Sequence, residues 1–377
     1  MKEIESLQAL EAHLDQTGKL CGVVIQGLDL REHTARICSV KTTNTVFLGC
    51  QLTEPAQAYV TADGAMVFPV MAQGRPYKVH RSGLYTLAEL MEGYVRGDHD
   101  SFQRDAQDSK IYRHFKAAHD NPAETSIMEA MAQRLHDHSI DDALNDLLHD
   151  PDHPRNVVAI MGGHAMKRDE AVFADVARMA RALTRKGYYI ATGGGPGAME
   201  AGNLGAWFAP FEDAALDEAI AHMSQIPSYK LGGYLELGYD MLDKYPGGGE
   251  SLAIPTWFYG HEPTNQFATH IAKYFSNSLR EDGLLAIATH GVIYAPGSAG
   301  TIQEVFMDAA QNHYGTFTKV SPMVFYGHEY WTKKKPVYEL VRVLSQGKQY
   351  GDMLGISDDV QAIVDFIVDH PPIDYTG

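Results

Sequence analysis

Ala295-Pro296-Gly297-Ser298-Ala299-Gly300-Thr301-Ile302-Gln303-Glu304 is the stretch on which the fold of this chain turns. The apolar run that leads into it, Val292-Ile293-Tyr294-Ala295, reads as a buried strand. A Pro-Gly turn follows, and then an amphipathic helix with Ile302, Val305, Phe306, Ala309 and Ala310 on one face. Glycines at such a junction let backbone N–H groups come close to a ligand, and the helix aims its positive end at the same point. Gly297, Ser298, Gly300 and Thr301 therefore read as a phosphate cradle, with the carboxylate of Glu304 one turn inside as a candidate catalytic group.

Upstream the same grammar repeats. Asn156-Val157-Val158-Ala159-Ile160-Met161 is a continuous apolar strand ending in Gly162-Gly163, and a helix with Val172, Phe173, Val176, Met179, Ala180 and Leu183 on its buried face runs to Lys186-Gly187. Tyr188-Tyr189-Ile190-Ala191 is the next strand, opening into Thr192-Gly193-Gly194-Gly195-Pro196-Gly197-Ala198-Met199. Leu252-Ala253-Ile254 and Met323-Val324-Phe325-Tyr326 supply further strands. Strands buried on both faces and alternating with helices specify an α/β fold with a doubly wound parallel sheet, spanning residues 155–377. In such sheets ligands bind at the carboxyl ends of the strands, where the turns after Met161, Ala191 and Ala295 fall. Helices are expected over Phe267–Leu285, Trp331–Leu344 and Asp358–Val368.

The first 150 residues predict a mixed α/β accessory domain. Leu7–Leu14 reads as a short helix, and Gly22–Val70 as short β-prone runs such as Val23-Val24-Ile25 and Thr45-Val46-Phe47-Leu48. Two segments, at Ile25–Leu30 and Phe47–Leu52, have the look of β-solenoid turns, but two copies are too few to assign a repeat. From Thr86 to Leu148 the chain turns helical and polar; His136 and His138 are expected on a solvated face. Asp150–Pro154 reads as a linker.

Composition excludes several functions. The 377 residues carry a formal charge of −17, which repels nucleic acid and anionic membranes, so an anionic ligand has to be held by local features. No segment has the length of a membrane span and the N-terminus is no signal peptide, which predicts a cytoplasmic protein. Cys21, Cys38 and Cys50 lack the spacing of a disulfide framework or zinc site and read as buried reduced thiols. No metal cluster is visible and no cofactor is implied. Gly193, Gly195 and Ala198 formally satisfy a dinucleotide fingerprint, but no acidic residue ends a following strand, which disfavours hydride transfer; no GxxxxGK[ST] loop supports an NTPase.

Thr192–Ala201 followed by Pro296-Gly-Ser-Ala-Gly-Thr-Ile-Gln-Glu304 resembles the Lonely Guy family over roughly residues 155–370. That family comprises Rossmann-like phosphoribohydrolases and related nucleoside 5′-monophosphate nucleosidases. Arg280 falls close to the family's arginine, and Glu262-Pro263-Thr264-Asn265 resembles an E-x-x-N element of longer members. Ser298 stands where the family has glycine, and Glu281 where it has lysine; Ser298 still offers a backbone N–H and a hydroxyl. The resemblance implies hydrolysis of the N-glycosidic bond of a nucleoside 5′-monophosphate, cytokinin nucleotides among the candidates, by a homodimer or larger assembly. It implies Glu304 as stabiliser of an oxocarbenium-like sugar and Arg280 as its catalytic partner. Gly162, Gly163, Gly193, Gly194, Gly195, Gly197, Met199 and Asn265 would complete the nucleotide pocket with the cradle residues.

Plainer readings of the same residues stay open. Thr301-Ile-Gln-Glu304 is also a capping box, and Arg280 also a charge at a helix C-terminus. Lys167 and Arg168 read as a solvated pair. A nucleotide-binding sensor or carrier with the same pocket and no turnover is the alternative function, with the N-terminal domain as a possible effector-responsive gate.

Overall fold

The computed structural model describes residues 1–71, 74–120 and 126–376. It divides into two compact units, Met1–Leu84 with Arg113–Leu147, and Tyr85–Tyr112 with Leu148–Gly377.

In the first unit, β1 (Lys2–Ile4), β2 (Val23–Gln26), β3 (Val46–Leu48) and β4 (Met66–Phe68) form a parallel sheet in chain order. Ile4, Ile25, Phe47 and Val67 pair in one row across it, so the chain returns to the same register about every 21 residues. The two solenoid-like turns are thus the legible part of a four-strand ladder. Ile4, Ile25 and Phe47 are fully buried with Leu10, Leu20, Leu30 and Val60. Cys50 joins this core, its thiol donating to the Ile25 carbonyl at 3.2 Å, while Cys21 and Cys38 are only partly covered. His138 is exposed as expected, but His136 is fully buried. Its ring meets Tyr77 edge-on at 5.5 Å and its Nδ1 lies 3.0 Å from Asp137 Oδ1. Ring packing accounts for it where polarity alone suggested solvent.

The second unit is the expected α/β layer structure. Its strands are β5 (Asn156–Met161), β6 (Tyr188–Thr192), β7 (Ser251–Ala253), β8 (His270–Ile271) and β9 (Val292–Tyr294); β10 (Lys319–Val320) follows, then β11 (Met323–Tyr326), β12 (Leu354–Ser357) and β13 (Ile373–Asp374). Seven make one sheet, β12-β11-β9-β5-β6-β7-β8, parallel throughout; β10 and β13 pair antiparallel apart from it. The chain enters at β5, winds outward through β8, then returns to β9 on the other flank of β5. The winding direction reverses between β5 and β9, and a crevice opens at such a point. Helices flank the sheet, giving a Rossmann-like architecture. Helix Ala171–Arg185 buries Phe173, Val176, Ala177, Met179, Ala180 and Leu183, close to the face expected.

Three expected helices have other limits. Residues 267–276 are not helical: Ala272 donates to Ala253 at 2.8 Å and Tyr274 to Pro255 at 3.1 Å, which extends the sheet edge, and the helix starts at Asn277 and ends at Ile287. Pro336 divides Trp331–Leu344 into a π-turn at Tyr330–Lys334 and a helix at Val337–Leu344. The last helix is Val360–Asp369, capped by Asp359, which accepts from the Ala362 amide at 2.8 Å. Among the described residues no helix is long and apolar enough to cross a membrane.

Candidate binding cleft

The turns after β5, β6 and β9 open onto one cavity of about 1030 Å³ in the second unit. Gly162, Gly163, Gly193, Gly194, Gly195, Met199, Arg280, Gly297, Ser298, Gly300, Thr301 and Glu304 line it. Gly197 and Asn265 are not among its lining residues. Gly197 has φ 73°, and a side chain there would collide with the Gly163 carbonyl; it sets the entry to helix Ala198–Trp207. Asn265 is buried and donates to Asn203 Oδ1 at 2.8 Å and to the Met199 carbonyl at 3.3 Å, which ties the cleft wall to that helix.

Arg280 sits in the first turn of helix Asn277–Ile287, so it is not a charge placed to complement a helix C-terminus. Its Nε donates to the Ile254 carbonyl at 2.9 Å and its Nη2 to the Gly193 carbonyl at 3.4 Å. One guanidinium thereby clips the ends of two strands together. Nη1 faces Glu304 Oε1 at 3.7 Å, and both side chains are close to nine-tenths covered. Gly193 is required for this arrangement, because a Cβ there would overlap Arg280 Nη2.

The helix Ala299–Tyr314 begins after Ser298, with no side chain capping its first turn. Thr301 is therefore already inside the helix, and Glu304 is not the far half of a capping box. Burial pushes Glu304 up to about 7, against the pull of Arg280 and with a push from Glu281. Behind it, Asp308 is fully buried, accepts from the Tyr294 hydroxyl at 2.7 Å and from Asn312 at 3.1 Å, and is also pushed up to about 7 by burial. The inward face of this helix is thus more polar than Ile302, Phe306 and Ala310 suggested: Thr301, Val305, Asp308, Ala309 and Asn312 are its buried residues.

Several cleft residues carried no signal in sequence. Lys335 Nζ reaches the Gly297 carbonyl at 2.9 Å and Ser298 Oγ at 3.3 Å, and the Tyr330 hydroxyl donates to the same carbonyl. A cation therefore stands at the head of helix Ala299–Tyr314. Glu262, which the sequence marks only as the start of an E-x-x-N element, also lines the cavity; burial raises it, while His164, Lys273 and Arg280 draw it down. Lys273 is committed to Asp108, donating to its two carboxylate oxygens at 2.7 and 2.8 Å. Asp108 also accepts from Trp257 Nε1 at 2.7 Å and Thr264 Oγ1 at 2.8 Å. Burial alone would raise it, but Lys273 and His261 hold it below the usual carboxylate range. Arg168 is not solvated either: it is buried against Glu200, with Nε–Oε2 at 2.9 Å. In the first unit Glu3, Asp142 and Asp146 lie close enough together to hold a metal ion, as exposed acidic groups often do without one.

No family model matches the sequence, and no curated protein does. Solved structures similar to it include the molybdenum cofactor carrier protein of Chlamydomonas reinhardtii, at 13% identity over 57% of this chain and 97% of that one, with TM-score 0.36. A molybdenum cofactor binding protein of the phototrophic bacterium Rippkaea orientalis is 12% identical over 57% of this chain and 96% of its own, with TM-score 0.37.

The Lonely Guy resemblance is corrected by these comparisons: the two structures named above are described as a carrier and a binding protein, not as nucleosidases. With it go the phosphoribohydrolase activity and the nucleoside 5′-monophosphate substrate. The physical reason is general. Glycine-rich turns at the carboxyl edge of a parallel sheet answer to close backbone approach and helix packing, and recur whatever chemistry the site performs. At these identities and TM-scores the neighbours' own ligand is not transferred to this chain.

Proposed function

We propose that this chain is a non-catalytic carrier or sensor for a small anionic ligand bearing a phosphate or similar oxyanion. The observation that carries the reading is the head of helix Ala299–Tyr314. Exposed backbone at Ser298, Ala299 and Gly300 meets the helix dipole, the Ser298 hydroxyl and the Lys335 ammonium at one point of the cleft. The two remaining glycine turns give the rest of such a ligand close access to backbone, with Arg280 held at the second of them. On this reading Gly162, Gly163, Gly193, Gly194, Gly195, Met199, Gly297, Ser298, Gly300 and Thr301 are binding residues, and Gly197 and Asn265 support the wall. The second unit is the ligand-binding domain and the first an accessory module. The cytoplasm is the compartment that three free thiols suit best.

Calorimetric titration with inorganic pyrophosphate and a set of organic phosphates tests this, beside Lys335→Ala. Saturable binding weakened by about tenfold in the variant, with the ligand recovered chemically intact, is the expected result. Conversion of the ligand, or no binding by any member of the set, would refute it.

A further inference from the structure

We propose that the cleft takes up its anion together with a proton, which is stored on Glu304. The inference rests on the anion-binding reading above and concerns how that binding is regulated.

Geometry sets up a competition for one cation. Arg280 spends Nε and Nη2 on the carbonyls of Ile254 and Gly193, leaving Nη1 turned toward Glu304. At 3.7 Å this is an ion pair without a hydrogen bond between its partners. An oxyanion entering the cavity beside Gly193 and Gly297 meets that same face of the guanidinium. One guanidinium cannot neutralise two anions, and the carboxylate, itself almost wholly buried, is the one that has a neutral form available.

The surroundings push the same way. From helix Asn277–Ile287, Glu281 adds negative charge, and from behind, the Tyr294–Asp308 pair supplies no cation. Elsewhere around the cavity Glu262 is another carboxylate. Lys273 is neutralised by Asp108, and Lys335 stands at Gly297; His164, His261, Glu170, Tyr229, Tyr259 and Tyr330 are the other titratable groups of the cavity wall. Arg280 alone opposes protonation of Glu304, and the ligand takes up part of its field. Glu304 is already poised near neutrality, so the proton, drawn from solvent, is available over the physiological range.

Sulfate is the probe of choice, because it is a divalent oxyanion that does not itself titrate near neutral pH. Its affinity for the full chain is measured by calorimetry from about pH 5.5 to 9, in pairs of buffers with different ionisation heats, for the parent, Glu304→Gln and Glu262→Gln. The expected result is uptake approaching one proton per sulfate above neutrality. Affinity then weakens toward tenfold per pH unit, and both effects are lost in Glu304→Gln and kept in Glu262→Gln. Binding with flat pH dependence, or uptake that survives Glu304→Gln, overturns the proton coupling and leaves the anion cleft standing. No sulfate binding at any pH, with circular dichroism unchanged, overturns the cleft reading and this inference together.

Discussion

Lys273 places its ammonium between the two carboxylate oxygens of Asp108, at 2.7 and 2.8 Å, and neither side chain is more than one-twentieth exposed. Removing one partner of a buried pair leaves the other as an uncompensated charge. Asp108→Ala also strips the acceptor from Trp257 Nε1 and Thr264 Oγ1. Urea unfolding of this variant should show a loss of about 3–5 kcal/mol. A loss below about 1 kcal/mol, the scale of a surface pair, would mean that the network does not hold the cleft wall.

Gly193→Ala separates binding from folding. The added methyl falls on Arg280 Nη2 and Met199 Sδ, both ends of flexible side chains that can swing aside. Stability should change by only about 1 kcal/mol, whereas anion affinity measured by titration should fall by roughly tenfold as Arg280 leaves its place. Unaltered affinity would remove Arg280 from the binding face.

Stability should fall as pH rises toward neutrality. Glu304 and Asp308 are each pushed up to about 7 by burial, far above their ordinary values of 4.5 and 3.8. Across that window the folded chain holds protons that the unfolded chain has released, so the slope of unfolding free energy with pH is negative. Above about 7 the penalty is complete. Glu304→Gln should therefore exceed the parent in stability at about pH 8 by on the order of 1–3 kcal/mol, and match it near pH 5. Denaturant titrations at the two pH values decide it; a variant weaker than the parent at the higher pH would contradict the burial argument.

Thiol titration provides a simpler check of the first unit. Burial pushes the Cys50 thiol up to about 11, while Cys21 and Cys38 are partly exposed. In native buffer an aromatic disulfide reagent should modify Cys21 and Cys38 within minutes and Cys50 only after unfolding. Fast modification of all three would show that the ladder opens readily.

The sheet of the second unit was legible because β5, β6, β9 and β11 are buried on both faces and announce themselves as apolar runs punctuated by glycine. Tyr274 and its neighbours were not, since an apolar run of that length reads equally as helix or as sheet edge. The cleft's glycines could be read for the same reason as the sheet, and Glu262 through its E-x-x-N element; Lys335 and Asp108 could not, because each acts by tertiary contact from a segment with no pattern of its own. His136 and Arg168 show the complementary failure, polar residues whose partners, Asp137 and Glu200, make burial affordable. Local motifs also suggested a chemistry that the comparisons do not support, as loops shaped by backbone approach specify a place for a ligand and not its fate.

Residues 85–112 belong to the second unit, although the chain on either side of them belongs to the first. The polypeptide therefore passes from one unit to the other three times. A cut near residue 150, which the sequence invites as a domain boundary, would carry Asp108 away from Lys273 along with the first unit. Neither unit is a contiguous cassette: no single cut of the chain releases one of them whole.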